Sequence, residues 1–148
     1  MSLKDRLVED MKDAMRARDT ARLETIRMLR AAIQRREVDA RQTLDDDGVL
    51  AVLQKQVKQR QDSIAQFEDG GREDLVTREK EQLKFLTPYL PEQMDQTEID
   101  RLVAEAIQET GATSMKDMGR VMALIKPKLQ GKADMGAVSK YIKARLQG

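Results

Sequence analysis

The sequence has 148 residues, a net charge of +1, and neither cysteine nor histidine. The chain therefore forms no disulfide and has no thiol nucleophile, and it lacks both the usual general base near neutral pH and the commonest metal ligand. No apolar run is long enough to span a membrane, and the amphipathic, acid-containing N-terminus resembles neither a secretion signal nor a transit peptide. We expect a soluble cytoplasmic protein without a cofactor, a metal or a membrane contact.

Helices dominate the predicted fold. Charged residues make up 36% of the chain and aromatic residues 3%, which is typical of helices with solvated faces and not of sheets. Apolar residues recur at helical spacing, and four helices are predicted in the first part of the chain. Ser2 can cap the first, Asp19 or Thr20 the second and Asp45 the third, which ends at the Gly70-Gly71 pair. The fourth follows directly.

A boundary is predicted near the middle of the chain. Pro88 and Pro91 lie close together there, and proline removes a backbone donor and keeps its predecessor out of the helical region. We place a linker at residues 87–94. It separates an N-terminal helical domain, residues 1–90, from a C-terminal domain, residues 95–148.

Three short amphipathic helices are predicted in the C-terminal domain. Asp95 can cap the first, which Gly111 ends, and Ser114 with Asp117 marks the start of the second. A tight turn at residues 131–134 precedes the last helix. Such short helices can bury a shared core only by packing together, so the fold class is all-α: a four-helix part followed by a small three-helix bundle.

Charge is unevenly spread along the chain. Residues 1–90 carry 18 basic and 18 acidic side chains and are neutral, whereas residues 91–110 carry one arginine and six acids, a net charge of −5. Residues 111–148 carry eight basic side chains and two acids, a net charge of +6. The end of the chain is therefore a basic module.

No catalytic template matches the sequence. There is no serine triad, no glycine-rich phosphate loop and no metal motif. The acidic clusters at residues 45–47 and at Glu105 and Glu109 are better explained by helix capping and by a solvated helix face than by acid–base catalysis. A run of arginines on and after the second helix is interpreted as solvated surface: Arg27, Arg30, Arg35, Arg36 and Arg41.

Lysines around the last two helices are the candidate binding residues. They flank or oppose the apolar faces of these helices or lie in the connecting turn: Lys126, Lys128, Lys132, Lys140 and Lys143. Such a patch suits phosphate contacts, and backbone donors at Gly131 and at the next helix N-terminus could add to it. An equally good interpretation is a solvated face neutralised by the acidic helix before it. Two phenylalanines and two tyrosines are too few for single-strand stacking, which leaves a folded RNA.

Four segments of the sequence resemble the YqeY family. They are Leu90-Pro91-Glu92-Gln93-Met94, Thr110-Gly111-Ala112, Ser114-Met115-Lys116-Asp117-Met118-Gly119-x-Val121-Met122 and Gly131-Lys132-Ala133-Asp134. The similarity runs over essentially the whole chain and is more specific in its second half. That half also resembles the tail domain of the B subunit of the glutamyl/aspartyl-tRNA amidotransferase, and similar modules are fused to some glutaminyl-tRNA synthetases.

The resemblance implies a helical body and a three-helix tail of the kind that grips tRNA. It implies packing roles at Gly119, Met122, Gly131 and Ala133, and contact roles at the matching lysines. The catalytic domain of the amidotransferase has no counterpart here, so its catalysis does not carry over.

Three functions remain open from the sequence. The leading hypothesis is a non-catalytic module that binds tRNA or the machinery of tRNA aminoacylation or amidation, namely an aminoacyl-tRNA synthetase or amidotransferase components. The second is a protein–protein interaction scaffold. The third is an accessory to an amidotransferase, a carbon–nitrogen ligase with glutamine as the amido donor.

Overall fold

The computed structural model describes residues 1–147, and this part of the chain contains only helices and irregular connections. The all-α prediction is confirmed. The helices in chain order are α1 Leu3–Arg16, α2 Thr20–Ala40, α3 Asp46–Asp69, α4 Glu73–Leu86, α5 Gln96–Thr110, α6 Met118–Leu129 and α7 Met135–Gln147. The chain divides into two compact units, Met1–Leu90 and the described residues from Pro91 onward.

Side-chain caps set most helix starts. Ser2 Oγ accepts from the backbone N–H of Asp5 at 3.1 Å, in a capping box. Asp19, Asp45 and Asp95 each accept from the backbone N–H three residues later, at 3.2, 2.9 and 2.8 Å. These caps satisfy donors that would otherwise lack a partner, so the local sequence alone places these helix starts.

The predicted start of α6 is wrong. Ser114 forms no side-chain cap, and a 3₁₀ turn at Met115–Asp117 precedes the helix. Asp117 Oδ2 instead accepts from the backbone N–H of Thr113 at 3.0 Å, while its other oxygen pairs with Arg120. Both interactions lower the pKa of Asp117, and the hydrogen bond from Thr113 contributes most. Asp117 therefore organises the loop before the helix, and α6 begins at Met118.

The first unit buries one side of each of its helices. Leu7, Ile26, Leu53 and Leu86 come from α1, α2, α3 and α4 in turn and are each 1% exposed. The longest pairing joins α3 and α4, which pack as an antiparallel hairpin across the turn that Gly71 forms at φ +70°. Glycine adopts this conformation without the cost that a Cβ would impose.

One charged side chain is buried in that hairpin. Arg60 is 6% exposed, and its Nε donates to Gln82 Oε1 at 3.2 Å while Nη1 donates to Gln56 Oε1 at 2.9 Å. Burial lowers the pKa of Arg60, and the nearby charge of Glu79 opposes that shift. Because a buried charge needs hydrogen-bonding partners, the two glutamine amides hold the guanidinium in place.

The predicted linker is largely built into the two units. Thr87–Tyr89 form a 3₁₀ turn, and Tyr89, 6% exposed, donates its hydroxyl to Asp10 Oδ2 at 2.5 Å. The guanidinium of Arg6 lies 4.6 Å from the centre of the Tyr89 ring. The proline-rich stretch therefore ends the helix, as its sequence predicts, but its first half belongs to the core of the first unit.

Replacing Tyr89 by phenylalanine tests this contact through its pH dependence. Burial and the hydrogen bond to Asp10 raise the pKa of Tyr89 to about 12 from 10.0. The folded state therefore holds the proton more tightly than the unfolded state, so the stabilisation is complete below about pH 10 and is lost as the pH rises to about 12. We expect Tyr89→Phe to lower the free energy of unfolding by about 1.5–3 kcal/mol at neutral pH.

Urea unfolding of both proteins across this pH range provides the measurement. The two stability curves should converge in the alkaline range, because ionisation of other groups affects both proteins equally. A difference that stays constant up to pH ~12 would contradict the assignment.

The second unit has its own core. Five side chains at its centre are 0% exposed: Val103 of α5, Val121, Ile125 and Leu129 of α6, and Ile142 of α7. Each of the three helices contributes its apolar stripe, which is the arrangement that the spacing of these residues predicts. The segment before α5 joins this unit, since the backbone N–H of Met94 donates to Lys132 O at 2.9 Å.

Candidate nucleic-acid interface

The five predicted lysines all lie on the surface of the second unit. Lys126 and Lys128 occupy the last turn of α6, Lys132 lies in the turn between α6 and α7, and Lys140 and Lys143 lie on α7. All five side chains are exposed. The helix–turn–helix that carries them is the basic module identified from the sequence.

The turn between α6 and α7 is held on both sides. Gly131 is buried and has φ +79°, and the backbone N–H of Lys132 donates to Leu129 O at 2.9 Å. The side chain of Gln93 donates to Gly131 O at 2.8 Å, next to the Met94–Lys132 hydrogen bond. These contacts fix the backbone of Lys132 while leaving its ammonium in solvent.

Two backbone donors at the start of α7 are used by the cap of that helix. Asp134 Oδ1 accepts from the backbone N–H groups of Gly136 and Ala137, at 3.0 and 3.3 Å. The expectation that this helix N-terminus supplies anion-binding donors is therefore wrong for these two groups, because the helix is capped by its own carboxylate. The lysine side chains remain the contact candidates.

Carboxylates of the acidic helix α5 do not neutralise the five lysines. Glu98 and Glu105 both pair with Arg101 on α5 itself, at 3.7 and 3.0 Å. Asp117 pairs with Arg120. Within residues 1–147, no ion pair joins any of the five lysines to a carboxylate. Their charge is available to an external anion.

The lysines do not form one flat patch, since Lys126 and Lys128 lie at the end of α6 whereas Lys140 and Lys143 lie along α7. Residues two apart on a helix differ in direction by about 200°, so Lys126 and Lys128 leave α6 on opposite flanks. Lysines in a last helical turn also complement the negative end of the helix dipole, which stabilises the helix by about 0.3–1 kcal/mol each. Part of their role is therefore structural, and a bound polyanion would have to meet α6 at its end.

Three of the four residues with implied packing roles do lie in packed surroundings. Ala133 is 5% exposed in the core, Met122 packs against that core and Gly131 is buried in the turn. Gly119 does not fit this role. It is exposed in the first turn of α6, and a Cβ built on it would meet no atom within 4 Å.

Residues 1–147 show neither a metal-binding cluster of acidic side chains nor a membrane-spanning helix. This part of the chain contains no group of three or more acidic side chains placed to hold a metal ion. No helix in the same range is long and apolar enough to cross a membrane. A groove between α1 and α2, lined by Arg27 and Arg30 among others, could not be predicted from the sequence. The spacing of the α2 arginines does not distinguish a groove from a solvated surface.

The fold and the site define an all-helical protein of two units, with five exposed lysines on a basic helix–turn–helix in the second. The family pattern described as Yqey-like protein matches residues 4–146. The chain belongs to the YqeY family, as the four sequence segments indicate.

Fungal relatives support this assignment. The chain is 39% identical over 126 residues to "Altered inheritance of mitochondria protein 41, mitochondrial" of Pyrenophora tritici-repentis, covering 82% of this chain and 70% of the relative. The protein of the same name from Vanderwaltozyma polyspora is 32% identical over 120 residues, with 76% and 64% covered. That from Kluyveromyces lactis is 40% identical over 84 residues, with 56% and 45% covered.

These relatives contradict the predicted cytoplasmic location. Their names place these relatives in mitochondria, and this finding overturns the cytoplasmic prediction. The prediction rested on composition and on the first residues of the chain. Amphipathic helices pack in the same way in either compartment, so their sequence pattern carries no information about location.

Proposed function

We propose that this chain is a non-catalytic module that binds tRNA through the basic helix–turn–helix of its second unit. It would act alone or beside an aminoacyl-tRNA synthetase or amidotransferase components. The observation that carries the proposal is the set of five exposed lysines that form no ion pair with a carboxylate of residues 1–147. Two acids of α5 that could have neutralised them, Glu98 and Glu105, pair with Arg101 instead.

Phosphate recognition fits the chemistry of these side chains. An ammonium is a compact point charge that contacts a phosphate without reading base identity, so the lysines would position an RNA and not specify its sequence. All four aromatic side chains are buried or half-buried: Phe67, Phe85, Tyr89 and Tyr141. Since single-strand binding depends on exposed aromatic surfaces, a folded RNA with a regular phosphate backbone is the better ligand.

The RNA that accompanies the full chain tests the proposal. The chain is purified at low salt without nuclease, and the bound RNA is extracted and sequenced beside total RNA from the same cells. We expect tRNA to be enriched, and a parallel preparation washed at about 1 M salt to be free of RNA, because phosphate contacts are lost at high ionic strength.

A protein scaffold is the main competing function, and the same preparation distinguishes it. A protein partner that stays bound after nuclease treatment, in a preparation without enriched tRNA, would contradict the RNA proposal and favour the scaffold. An accessory role in amidation would instead require glutamine- or ATP-dependent turnover by the purified chain.

A further inference from the structure

A groove of about 290 Å³ lies between α1 and α2 in the first unit. Four apolar side chains line it. Leu7 and Ile33 are buried and form its floor, and Val8 and Ala31 are more exposed. The volume is at the lower end of the range for ligand sites. The groove lies in the first unit, whereas the five lysines lie in the second.

Cations line the rim of the groove. Lys4 contributes from α1, and Arg27 and Arg30 contribute from α2, where their spacing of three residues places them on one side of the helix. The one carboxylate in the lining, Glu37, pairs with Lys4 and also accepts from the backbone N–H of Leu44 at 2.7 Å. The hydrogen bond from Lys4 contributes most to the lowered pKa of Glu37. The negative charge of Glu37 is therefore already compensated.

The two arginines have no such compensation. Arg30 Nη1 lies 3.2 Å from Met11 Sδ, a weak acceptor, and Arg27 has no hydrogen bond or ion pair within residues 1–147. Both side chains are exposed. After the Lys4–Glu37 pair is set aside, the groove therefore carries two positive charges above an apolar floor.

Apolar side chains extend the groove along both helices. On α1, Val8, Met11 and Met15 follow one another at helical spacing, and Met15 is 51% exposed. On α2, Val38 is 68% exposed and lies one turn beyond Gln34, which lines the groove. Exposed methionine suits a surface that adapts to another protein, because its side chain is flexible and polarisable. From Lys4 to Met15 this surface is about 17 Å long, or three helical turns.

We propose that the α1–α2 groove docks an acidic amphipathic helix of a partner protein. Such a helix would place its apolar stripe between Val8 and Ala31, and its flanking carboxylates would pair with Arg27 and Arg30. The two arginines favour an acidic partner by charge complementarity, and the apolar floor favours a helix with an apolar stripe. A phosphate backbone would use the arginines and leave the apolar floor exposed to water.

A designed peptide probes the groove in the full chain. The probe is a stapled, fluorescein-labelled helix of about four turns, with leucine on one face and glutamate and alanine on the others. A second probe carries lysine at every glutamate position. Fluorescence anisotropy gives the dissociation constant of each probe. The variant is Arg27→Glu with Arg30→Glu, and its matched control is Arg78→Glu with Lys84→Glu, two exposed positions on α4.

The acidic probe should bind the wild type and the control alike and bind the Arg27→Glu/Arg30→Glu variant at least about tenfold more weakly. The lysine probe should show the opposite preference and bind that variant best. All four positions are exposed, and circular dichroism confirms that each variant keeps its helical content. Equal binding of the acidic probe to the variant and the control would overturn the proposal. Failure of the acidic probe to bind the wild type would also overturn it. A weaker tRNA affinity in the Arg27→Glu/Arg30→Glu variant, without acidic-probe binding to the wild type, would indicate a phosphate ligand instead.

Discussion

We expect replacement of Lys126, Lys128 and Lys132 by glutamate to lower the proposed tRNA affinity by roughly 10²–10³-fold at about 0.1 M salt. Each phosphate contact releases bound counterions and contributes about 0.9 to the slope of log affinity against log salt, so three lost contacts remove about 2.7 logarithmic units of affinity at that salt. The three side chains surround the end of α6 and its turn. Filter binding or anisotropy with labelled tRNA provides the measurement.

The matched control removes the same charge from the first unit. Lys55, Arg78 and Lys84 are exposed there, and their replacement by glutamate should leave tRNA affinity within a few-fold of wild type. A further variant with glutamine at the three lysine positions separates binding from helix stability, because it removes charge without placing acids at the negative end of the α6 dipole. Equal losses in the lysine variant and the control would show that net charge alone matters, and the proposed interface would be wrong.

Ile125→Ala should destabilise the second unit by about 2–5 kcal/mol. Ile125 is 0% exposed at the centre of the α5–α7 core, and its truncation removes buried methyl and methylene groups and leaves a cavity. The unit has fewer than 60 residues, so a loss of this size is a large part of its stability. Leu124→Ala, at a half-buried position next to it, is the matched control and should cost clearly less.

Tyrosine fluorescence during urea unfolding reports on this unit. In a Tyr89→Phe background Tyr141 is the only tyrosine, and it lies on α7 against the core. The Ile125 variant should unfold at a lower urea midpoint by this signal. A loss of less than about 1 kcal/mol would contradict the packing described here.

Local chemistry explains why helix starts and ends could be predicted. Ser2, Asp19, Asp45 and Asp95 cap helices through hydrogen bonds that span three residues, and Gly111 ends α5 with φ +66°. Each of these features depends on a few neighbouring residues. Ser114 failed as a cap because a local alternative, the 3₁₀ turn organised by Asp117, competes for the same backbone groups.

Contacts between distant residues could not be predicted in the same way. Tyr89 meets Asp10 across 79 positions, and Arg60 meets Gln82 only because α3 and α4 pack side by side. The groove beside Arg27 and Arg30 has the same origin, since α1 supplies Lys4 and Val8 to it. The sequence predicted the basic module but left open whether the acids of α5 neutralise it. Glu98 and Glu105 pair with Arg101, and that pairing depends on side-chain geometry within α5.

The salt dependence of tRNA affinity tests the central claim most directly, because it counts the phosphate contacts that we propose for the basic helix–turn–helix. Five contacts predict a slope of about −4.5 for the wild-type chain, and the Lys126, Lys128 and Lys132 glutamate variant should retain a slope of about −2. A wild-type slope near zero, or the same steep slope in that variant, would contradict the account.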